Sequence, residues 1–416
     1  MDSAISTSSD HTLVPASSDR PGDDPIFRLN AMAQARAAAG EDVLNATLGA
    51  LFTDDGQLAV MPSVYDAMRS IDGRRAAGYA PIRGQAEFLD AVVRDLTEGT
   101  TLAGQAIAVA TPGGTGAVYN AIVNFLEPGN ALLTSSFYWE PYGILAEHSG
   151  RRFATFRNFD ESGAFDVAAL EVEARRLIAR QGRLLLVLNT PCHNPTGYSL
   201  DAGELERIGD LLLELSGEAP VTLLLDLAYE KFAAPHTASW QPLAERLVGR
   251  VQVLAAWTAS KAFTQYGSRI GALAAFHSAD ATPETREHLA NALGYTCRGT
   301  WSNCNNLGML TVAKVLNDPE LRARSIAERG ELVALLDDRV QAFNREAAAA
   351  GLAYPRYEGG FFVSVFTDDP DGTVARAQDK GVFFVPLDGA VRLALCATPA
   401  VTIPRLVETL ASSLEG

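Results

Sequence analysis

Residues 184–197 read Leu-Leu-Leu-Val-Leu-Asn-Thr-Pro-Cys-His-Asn-Pro-Thr-Gly, and the fold prediction starts from them. The stretch begins with a continuous aliphatic run, 184–188, and then changes to Pro, Asn, Thr and Gly. A short aliphatic run without polar alternation is typical of a strand buried on both faces of a parallel sheet. The residues after it indicate a turn. A turn alone does not require His193 and Asn194 together at the carboxyl end of the strand.

Similar aliphatic runs occur at 221–225 and 251–256, and stretches with helical periodicity, 167–180 and 202–215, lie between and before them. Strands that alternate with helices imply right-handed crossovers and a mainly parallel sheet. The sequence therefore predicts an α/β fold whose large domain is a mainly parallel sheet flanked by helices.

The two ends of the chain are predicted to form a second unit. A charged amphipathic stretch, 320–350, is followed by strand-like runs at 359–365, 381–385 and 391–395. Residues 1–24 are rich in Ser, Asp, Thr and Pro and predict a flexible tail. We predict a large domain over 61–324 and a smaller α+β domain built from both chain ends, 25–60 and 325–416.

Composition excludes several classes of protein. The 416 residues include 50 acidic side chains against 34 Lys plus Arg, a formal charge of −16 that disfavours binding to nucleic acid. The 4 cysteines are scattered without the spacing of a zinc site, so no metal is expected. No signal peptide and no apolar run of about eighteen residues is found. We expect a soluble protein of the reducing cytoplasm with no membrane partner.

Chemically useful side chains follow each of the three aliphatic runs. Asn194 follows the first run, Asp226 and Tyr229 the second, and Lys261 the third. Taken singly, Asp226 is either a helix cap or a functional acid, and a single lysine is most often a solvated loop residue. The carboxyl ends of parallel strands are where ligands bind in α/β sheets, so these side chains are expected to lie together. Arg269 follows closely in the sequence.

This set suits pyridoxal phosphate. That cofactor needs an amine for covalent attachment, an anion opposite its ring nitrogen, donors at its phenolic oxygen and a cradle for its phosphate. The segment 111–116, Thr-Pro-Gly-Gly-Thr-Gly, opens a predicted helix over 117–126. Glycines there let backbone N–H groups approach a phosphate, although such a turn is more often only a tight connection.

The ordered combination of motifs resembles the class I aminotransferases, which are fold-type-I pyridoxal-phosphate enzymes. The motifs are His-Asn-Pro-Thr-Gly at 193–197, Asp-Leu-Ala-Tyr at 226–229, Ser260-Lys261, and Gly-Ser-Arg-Ile-Gly at 267–271. The likeness is nearest to the aspartate and aromatic amino acid transaminase branch and extends from Phe27 to the C-terminus. Chance is a poor explanation for the ordered set.

The resemblance implies roles for the cofactor site. Lys261 would bind the cofactor covalently and move the substrate proton, and Asp226 would pair with the ring nitrogen, supported from behind by His193. Asn194 and Tyr229 would hold the phenolic oxygen. The phosphate cradle would be formed by Gly114, Thr115, Thr258, Ser260 and Arg269.

Further residues match family positions around the ring and the substrate. Trp139 would stack on the ring, although a half-buried structural Trp is the alternative. Tyr79 would reach the phosphate of the neighbouring subunit, which implies a homodimer. Arg392 would bind the substrate α-carboxylate, and Gly49 would line the substrate site. Arg298 would cross from the partner to the distal carboxylate of acidic substrates, the alternative being an interface salt bridge.

The chain departs from the family pattern near the site. Gly113 stands where a Ser is common, Tyr142 where a second histidine often supports the aspartate, and Cys304-Asn305 where a proline pair is common. None of these changes removes a group that the chemistry requires.

We expect an aminotransferase that moves an amino group from an acidic or aromatic amino acid to a 2-oxo acid. A pyridoxal-phosphate-dependent β-lyase or decarboxylase of the same fold is the alternative, because the cofactor residues are shared. A non-enzymatic cofactor-binding regulator is less favoured, since only the short tail could serve as a recognition module.

Overall fold

The computed structural model describes residues 25–415 and the isolated positions 13, 14, 17, 20 and 22. Most of the predicted 1–24 tail lies outside the described residues. None of the described helices is both long enough and apolar enough to cross a membrane.

The elements are numbered along the described chain. The helices are α1 Pro25–Ala38, α2 Pro62–Arg69, α3 Gly73–Ala77, α4 Ala86–Thr97, α5 Gly113–Phe125, α6 Pro141–His148, α7 Val167–Gln181, α8 Ala202–Leu215, α9 Gln241–Leu247, α10 Ala259–Ala262, α11 Pro283–Gly299, α12 Asn306–Asn317, α13 Pro319–Ala349, α14 Pro370–Asp379 and α15 Ile403–Leu414. The strands are β1 Leu44–Asn45, β2 Ala106–Pro112, β3 Ala131–Ser135, β4 Arg152–Phe156, β5 Leu184–Asn189, β6 Val221–Asp226, β7 Gln252–Thr258, β8 Ile270–Phe276, β9 Phe362–Phe366, β10 Val382–Phe383, β11 Val385–Leu387 and β12 Ala390–Ala394. Short 3-10 helices cover Glu230–Phe232, Leu395–Ala397 and Ala400–Thr402.

The large sheet has seven strands in the order β2-β8-β7-β6-β5-β3-β4. Strands β3 to β7 are parallel to one another, whereas β8 is antiparallel to both β7 and β2. The connection 259–269 between β7 and β8 is shorter than the dozen or so residues that a parallel crossover usually needs. The predicted mainly parallel α/β sheet is confirmed, with β8 as the antiparallel strand.

Both faces of this sheet are buried. Along β5, Leu184, Leu186 and Leu188 pack into one apolar cluster, while Leu185 and Val187 pack into another on the opposite face. This double burial explains why the three aliphatic runs show no polar alternation.

Two smaller sheets involve the chain ends. Strand β1 pairs in parallel with β10, and β11, β12 and β9 form an antiparallel sheet. Residues of both chain ends share one apolar cluster that includes Leu44, Leu51, Phe343 and Leu410. The run 381–385, predicted as one strand, is divided at Phe384 between two sheets, so that prediction was wrong in detail.

Candidate active site

A cleft with a volume of about 140 Å³ lies beyond the carboxyl ends of β5, β6 and β7. Parallel pairing sets Asn189 of β5 beside Asp226 of β6, so the residues that follow these strands meet at one edge. The residues lining the cleft are Gly114, Thr115, Trp139, Asn189, Asn194, Asp226, Ala228, Tyr229, Thr258, Ser260, Lys261 and Arg269. The structure thus brings together the residues predicted to hold the ring, the amine and the phosphate.

Asp226, the last residue of β6, is a buried carboxylate with two hydrogen-bond donors. Its Oδ2 accepts from the Tyr142 hydroxyl at 2.6 Å, and its Oδ1 accepts from the Ala228 backbone N–H at 3.2 Å. Burial raises the pKa of Asp226, and the hydrogen bond from Tyr142 and the charge of Lys261 oppose that shift. The carboxylate holds the local turn through Ala228 and still lines the cleft.

Lys261 lies in the short helix α10, directly after β7. Burial lowers the pKa of Lys261 to about 8, the positive charge of Arg269 acts in the same direction, and Asp226 opposes both. Its Nζ lies 5.1 Å from the centroid of the Tyr229 ring. A lowered pKa places a useful fraction of neutral, nucleophilic amine in the cleft near neutral pH.

Asn189 fixes the backbone on this side of the cleft, although it was not predicted as a site residue. Its Nδ2 donates to the Asp226 carbonyl oxygen at 2.8 Å, and its Oδ1 accepts from the Asn194 backbone N–H at 2.7 Å. The Asn194 side-chain amide in turn lies 3.4 Å from the Tyr229 hydroxyl. The signal that could have found Asn189 is its place as the last residue of a buried strand.

An anion cradle closes one side of the cleft. Helix α5 begins at Gly113, so the glycine-rich residues form its first turn and not a loop before a helix that starts at residue 117. The Arg269 guanidinium lies 3.4 Å from Ser260 Oγ and 3.3 Å from Thr115 Oγ1. Thr258 Oγ1 donates to Ser260 Oγ at 3.0 Å. Free backbone N–H groups, hydroxyls and a guanidinium suit a phosphate.

Gly113 has a left-handed backbone conformation and lies close to Arg269. Its φ is +70°, and a Cβ there would lie 2.5 Å from Arg269 Nη2. Glycine at this position therefore suits the left-handed φ, and a larger side chain would displace the Arg269 side chain.

Trp139 is half-buried and lines the cleft. The Tyr142 ring meets it edge to face, with centroids 5.4 Å apart.

His193 lies in the loop after β5, where its Nδ1 is 2.7 Å from Thr196 Oγ1, and burial lowers the pKa of His193 to about 4. The structure supplies the Asp226 carboxylate with a donor from Tyr142, and the support expected from His193 stays a prediction.

Arg392 and Gly49 lie next to the cleft and meet at one aromatic ring. The Arg392 guanidinium lies 4.4 Å from the centroid of Phe362, and its Nη2 donates to the Thr47 carbonyl oxygen at 2.8 Å. A Cβ on Gly49 would lie 2.6 Å from the same ring. Phe362 also contacts the Tyr229 ring, with centroids 5.8 Å apart. These contacts connect the predicted carboxylate-binding arginine to the cleft.

Tyr79 and Arg298 are not among the described residues that line the cleft of one chain. Tyr79 is 94% exposed, and Arg298 is exposed on α11, where its Nη1 donates to Ser302 Oγ at 2.6 Å. On the same helix, Tyr295 is 82% exposed. Aromatic residues, Tyr among them, are enriched in protein–protein interfaces relative to the rest of the surface.

Comparison with known proteins agrees with the architecture. The family model of class I and II aminotransferases matches residues 41–410. An aspartate aminotransferase of Pseudomonas aeruginosa is 30% identical over 342 residues, covering 79% of this chain and 81% of that protein. An aromatic-amino-acid aminotransferase of Paracoccus denitrificans is 31% identical over 313 residues, covering 73% and 75%.

A solved aminotransferase structure from Anaerococcus prevotii superposes with a TM-score of 0.89 at 30% identity, covering 97% of this chain and 100% of that one. The resemblance expected from the motifs at the strand ends is confirmed by these matches, which extend over most of the chain. The chain therefore belongs to the class I and II aminotransferases.

Proposed function

We propose that the protein is a pyridoxal-phosphate-dependent aminotransferase that moves an amino group from an acidic or aromatic amino acid to a 2-oxo acid. The observation that carries the proposal is the convergence of Lys261, Asp226 and Arg269 in one cleft. An amine, a buried carboxylate and a guanidinium beside a helix N-terminus are the groups that this cofactor requires.

The donor set fits the cofactor at each of its polar positions. The first turn of α5, with Thr115, Ser260 and Arg269, would hold the phosphate. Asp226 would face the ring nitrogen as an ionised acceptor, because both its oxygens already accept hydrogen bonds. The Asn194 amide and Tyr229 hydroxyl, 3.4 Å apart, would hold the phenolic oxygen.

Pyridoxal phosphate, when bound, supplies an electron-withdrawing ring that stabilises negative charge at the substrate α-carbon. Lys261, as a neutral amine, would take the proton from the substrate α-carbon. It would then return the proton to the reacting molecule in a later step. Its lowered pKa suits this work, because a general base is most effective when its pKa is near the working pH.

Arg392 would orient the substrate by its α-carboxylate. A guanidinium binds a carboxylate through two parallel hydrogen bonds, which fix the orientation of the substrate as well as its affinity. The Phe362 ring beneath Arg392 and the Thr47 carbonyl oxygen hold the guanidinium in place. Gly49 would let the backbone beside Phe362 approach the substrate closely.

A homodimer would complete each site. Tyr79 and Arg298 are exposed in one chain, and we infer that each reaches the partner's cleft, Tyr79 at the phosphate and Arg298 at a distal carboxylate. The relatives named as aspartate and aromatic-amino-acid aminotransferases support an acidic or aromatic donor.

Compartment and domain organisation remain predictions. The 4 cysteines are free thiols, which supports the reducing cytoplasm. The apolar cluster shared by both chain ends supports the division into a large domain over 61–324 and a small domain from 25–60 and 325–416.

A half-reaction screen tests the proposal. The purified protein, loaded with pyridoxal phosphate, is mixed with single amino acids without an acceptor, and the visible absorbance is followed. Acidic or aromatic amino acids should change the absorbance, and Lys261→Ala should abolish the change. A protein that shows no spectral response to any amino acid contradicts the proposal. Steady ammonia release over many turnovers would favour a β-lyase instead.

A further inference from the structure

The segment that carries Tyr79 is held by a buried amide from another helix. Asn306 is the first residue of α12 and is 9% exposed. Its Nδ2 donates to the carbonyl oxygens of Arg75 and Gly78, both at 2.9 Å, and lies 3.4 Å from that of Ala76. These carbonyl groups belong to the end of α3 and to the residue directly before Tyr79. The Asn306 amide therefore fixes the backbone from which the Tyr79 side chain projects.

The oxygen of the same amide also takes part. Gln85 Nε2 donates to Asn306 Oδ1 at 2.8 Å, and Gln85 is the residue directly before α4. The hydrogen bonds of the Asn306 side chain thus reach the chain both before and after Tyr79. The last carbonyl groups of a helix have no partner within it, so stabilising the end of α3 is the plainer role for this amide.

The first turn of α12 is in turn fixed to the cofactor cleft of its own chain. Asn305 Oδ1 accepts from the Gly308 backbone N–H at 3.0 Å, which caps α12. Asn305 Nδ2 donates to the Ser268 carbonyl oxygen at 2.9 Å, and Ser268 directly precedes Arg269. The helix turn that holds the Tyr79 segment is therefore attached to the loop that carries the arginine of the phosphate cradle.

Tyr79 lies in a loop whose backbone is fixed although its own side chain is 94% exposed. The Gly84 backbone N–H donates to the Pro81 carbonyl oxygen at 2.9 Å, and the Ala110 backbone N–H, in β2, donates to that of Arg83 at 2.7 Å. Ordering a loop on binding costs free energy, so a loop that is already ordered binds more tightly. This arrangement suits a tyrosine that has to reach a group on another chain.

We propose that Asn306 is a positioning residue that holds Tyr79 for the phosphate of the cofactor in the partner's cleft. The inference rests on the proposed function and its homodimer. Asn306 touches neither cofactor nor substrate in this assignment and acts through the backbone at 75–78. Its effect on the cofactor must therefore disappear when Tyr79 can no longer bind the phosphate, whereas a purely stabilising effect would persist.

A double-mutant cycle on cofactor affinity tests this role. The dissociation constant of pyridoxal phosphate is measured by absorbance titration of the cofactor-free full chain. Tyr79→Phe removes the hydroxyl and should raise the constant about tenfold or more, the usual effect of losing a hydrogen bond to a charged group. Asn306→Leu removes the amide at similar volume and should raise the constant by no more than Tyr79→Phe does. In the Tyr79→Phe background, Asn306→Leu should add less than about twofold.

Two controls separate positioning from general stabilisation. Asn344→Leu is the matched variant, because Asn344 Nδ2 donates to the Tyr357 carbonyl oxygen at 2.9 Å and Asn344 is not among the described residues that line the cleft. It should keep the parent's dissociation constant. Pyridoxal without phosphate should bind Asn306→Leu and the parent equally. An equal effect of Asn306→Leu in both backgrounds, or an equal loss with pyridoxal, overturns the inference.

A second variant keeps the test open if Asn306→Leu is insoluble. The carboxylate of Asn306→Asp has the size of the amide and still accepts from Gln85, but it cannot donate to the carbonyl oxygens at 75–78. It should weaken pyridoxal phosphate binding in the parent background and have little effect in Tyr79→Phe. Unchanged binding in the parent background contradicts the role assigned to Asn306.

Failure of the inference differs from failure of the proposed function. If Tyr79→Phe itself leaves the dissociation constant unchanged, Tyr79 does not hold the phosphate and the role of Asn306 is overturned, although the parent still binds the cofactor. If the parent protein binds no pyridoxal phosphate, the proposed function itself is wrong.

Discussion

Lys261 is the residue on which the chemistry of the cleft depends. Its amine must be neutral to attack an aldehyde, and burial lowers its pKa to about 8 from the ordinary value of 10.5. Near pH 7, about one-tenth of an amine with this lowered pKa is neutral, against about three in ten thousand for an ordinary lysine. A fraction of the Lys261 amine is therefore neutral, and able to act as a nucleophile, before any ligand binds.

We predict that the initial rate at which cofactor-free protein attaches pyridoxal phosphate rises with pH and levels off above a midpoint near 8. The rate follows the neutral fraction of Lys261, which grows as pH passes the folded pKa. Stopped-flow absorbance at a series of pH values measures it. In Asp226→Asn the midpoint should fall, because the carboxylate is a group that raises the pKa of Lys261. A parent midpoint near 10.5 would contradict the prediction.

Arg392 should determine substrate affinity in a way that lysine cannot reproduce. In Arg392→Lys we expect KM to rise about tenfold or more for every amino acid, because the paired hydrogen bonds to the α-carboxylate are lost. Steady-state kinetics with one acidic and one aromatic donor measures the effect. Arg405→Lys, which alters an exposed ion pair with Asp42, is the control and should leave KM unchanged. An unchanged KM in Arg392→Lys shows that Arg392 is structural.

The site residues differ in how far the sequence could predict them. Asp226 and Lys261 could be predicted, because each stands within a few residues of an aliphatic run that ends at the cleft edge. The contact of Tyr142 with Asp226 is indicated only by the resemblance, in which position 142 supports the aspartate; no local sequence pattern indicates it, because the two residues are far apart in the chain. Asn189 is likewise the last residue of a buried strand, but no local sequence pattern indicates its hydrogen bonds to the backbones of Asp226 and Asn194.

Among the elements, the loop after β5 connects the cleft to the small sheets. Gly197 has a φ of +74°, and a Cβ there would lie 2.3 Å from both the Phe362 carbonyl oxygen and the Tyr357 ring. The Ser364 hydroxyl donates to the Pro195 carbonyl oxygen at 3.0 Å. The loop that carries Asn194 is therefore packed directly on β9.

We predict that Gly197→Ala destabilises the protein well beyond the cost of its backbone conformation. A left-handed φ costs a non-glycine residue about 1–2 kcal/mol, and the contacts with Phe362 and Tyr357 add to that cost. Gly182→Ala is the matched control, because Gly182 has a φ of +70° with nothing near its missing Cβ. Urea unfolding of both variants measures the difference. Equal losses of unfolding free energy in Gly197→Ala and Gly182→Ala would show that the loop accommodates the Cβ with no loss of stability beyond that of the left-handed φ.

Element prediction succeeded where a buried run forms one strand and was wrong where a buried run is divided between two sheets. The runs that became β5, β6 and β7 are buried on both faces, and their composition shows it. The run 381–385 is also apolar and buried, yet β10 pairs with β1 and β11 pairs with β12. An apolar run indicates that a segment is buried, but it does not indicate which strand that segment pairs with.

At the scale of the whole molecule, the proposed dimer places Arg298 of one chain at the cleft of the other. We predict that hybrid dimers of Lys261→Ala and Arg298→Ala chains regain one native site, with about half the parental activity toward aspartate. In the hybrid, the Arg298→Ala chain keeps its own Lys261. The Lys261→Ala chain still has Arg298 and would supply it to that site, because a two-fold interface places the same residue of each chain at the other chain's cleft. Co-expression with two different tags isolates the hybrid.

Homodimers of either variant are the controls and should show little activity toward aspartate. If the hybrid is no more active than the mean of the two homodimers, Arg298 serves its own chain or none. Activity toward an aromatic donor should depend less on Arg298, because such a substrate has no distal carboxylate.

The central claim is that this protein transfers an amino group, and nitrogen labelling tests it most directly. The holoenzyme is given aspartate carrying a nitrogen isotope together with 2-oxoglutarate, and all products are analysed by mass spectrometry. We predict that the label appears in newly formed glutamate, in equal amount to the 2-oxo acid formed from aspartate, and that Lys261→Ala forms neither. Label released as free ammonia, with none in glutamate, would contradict the claim.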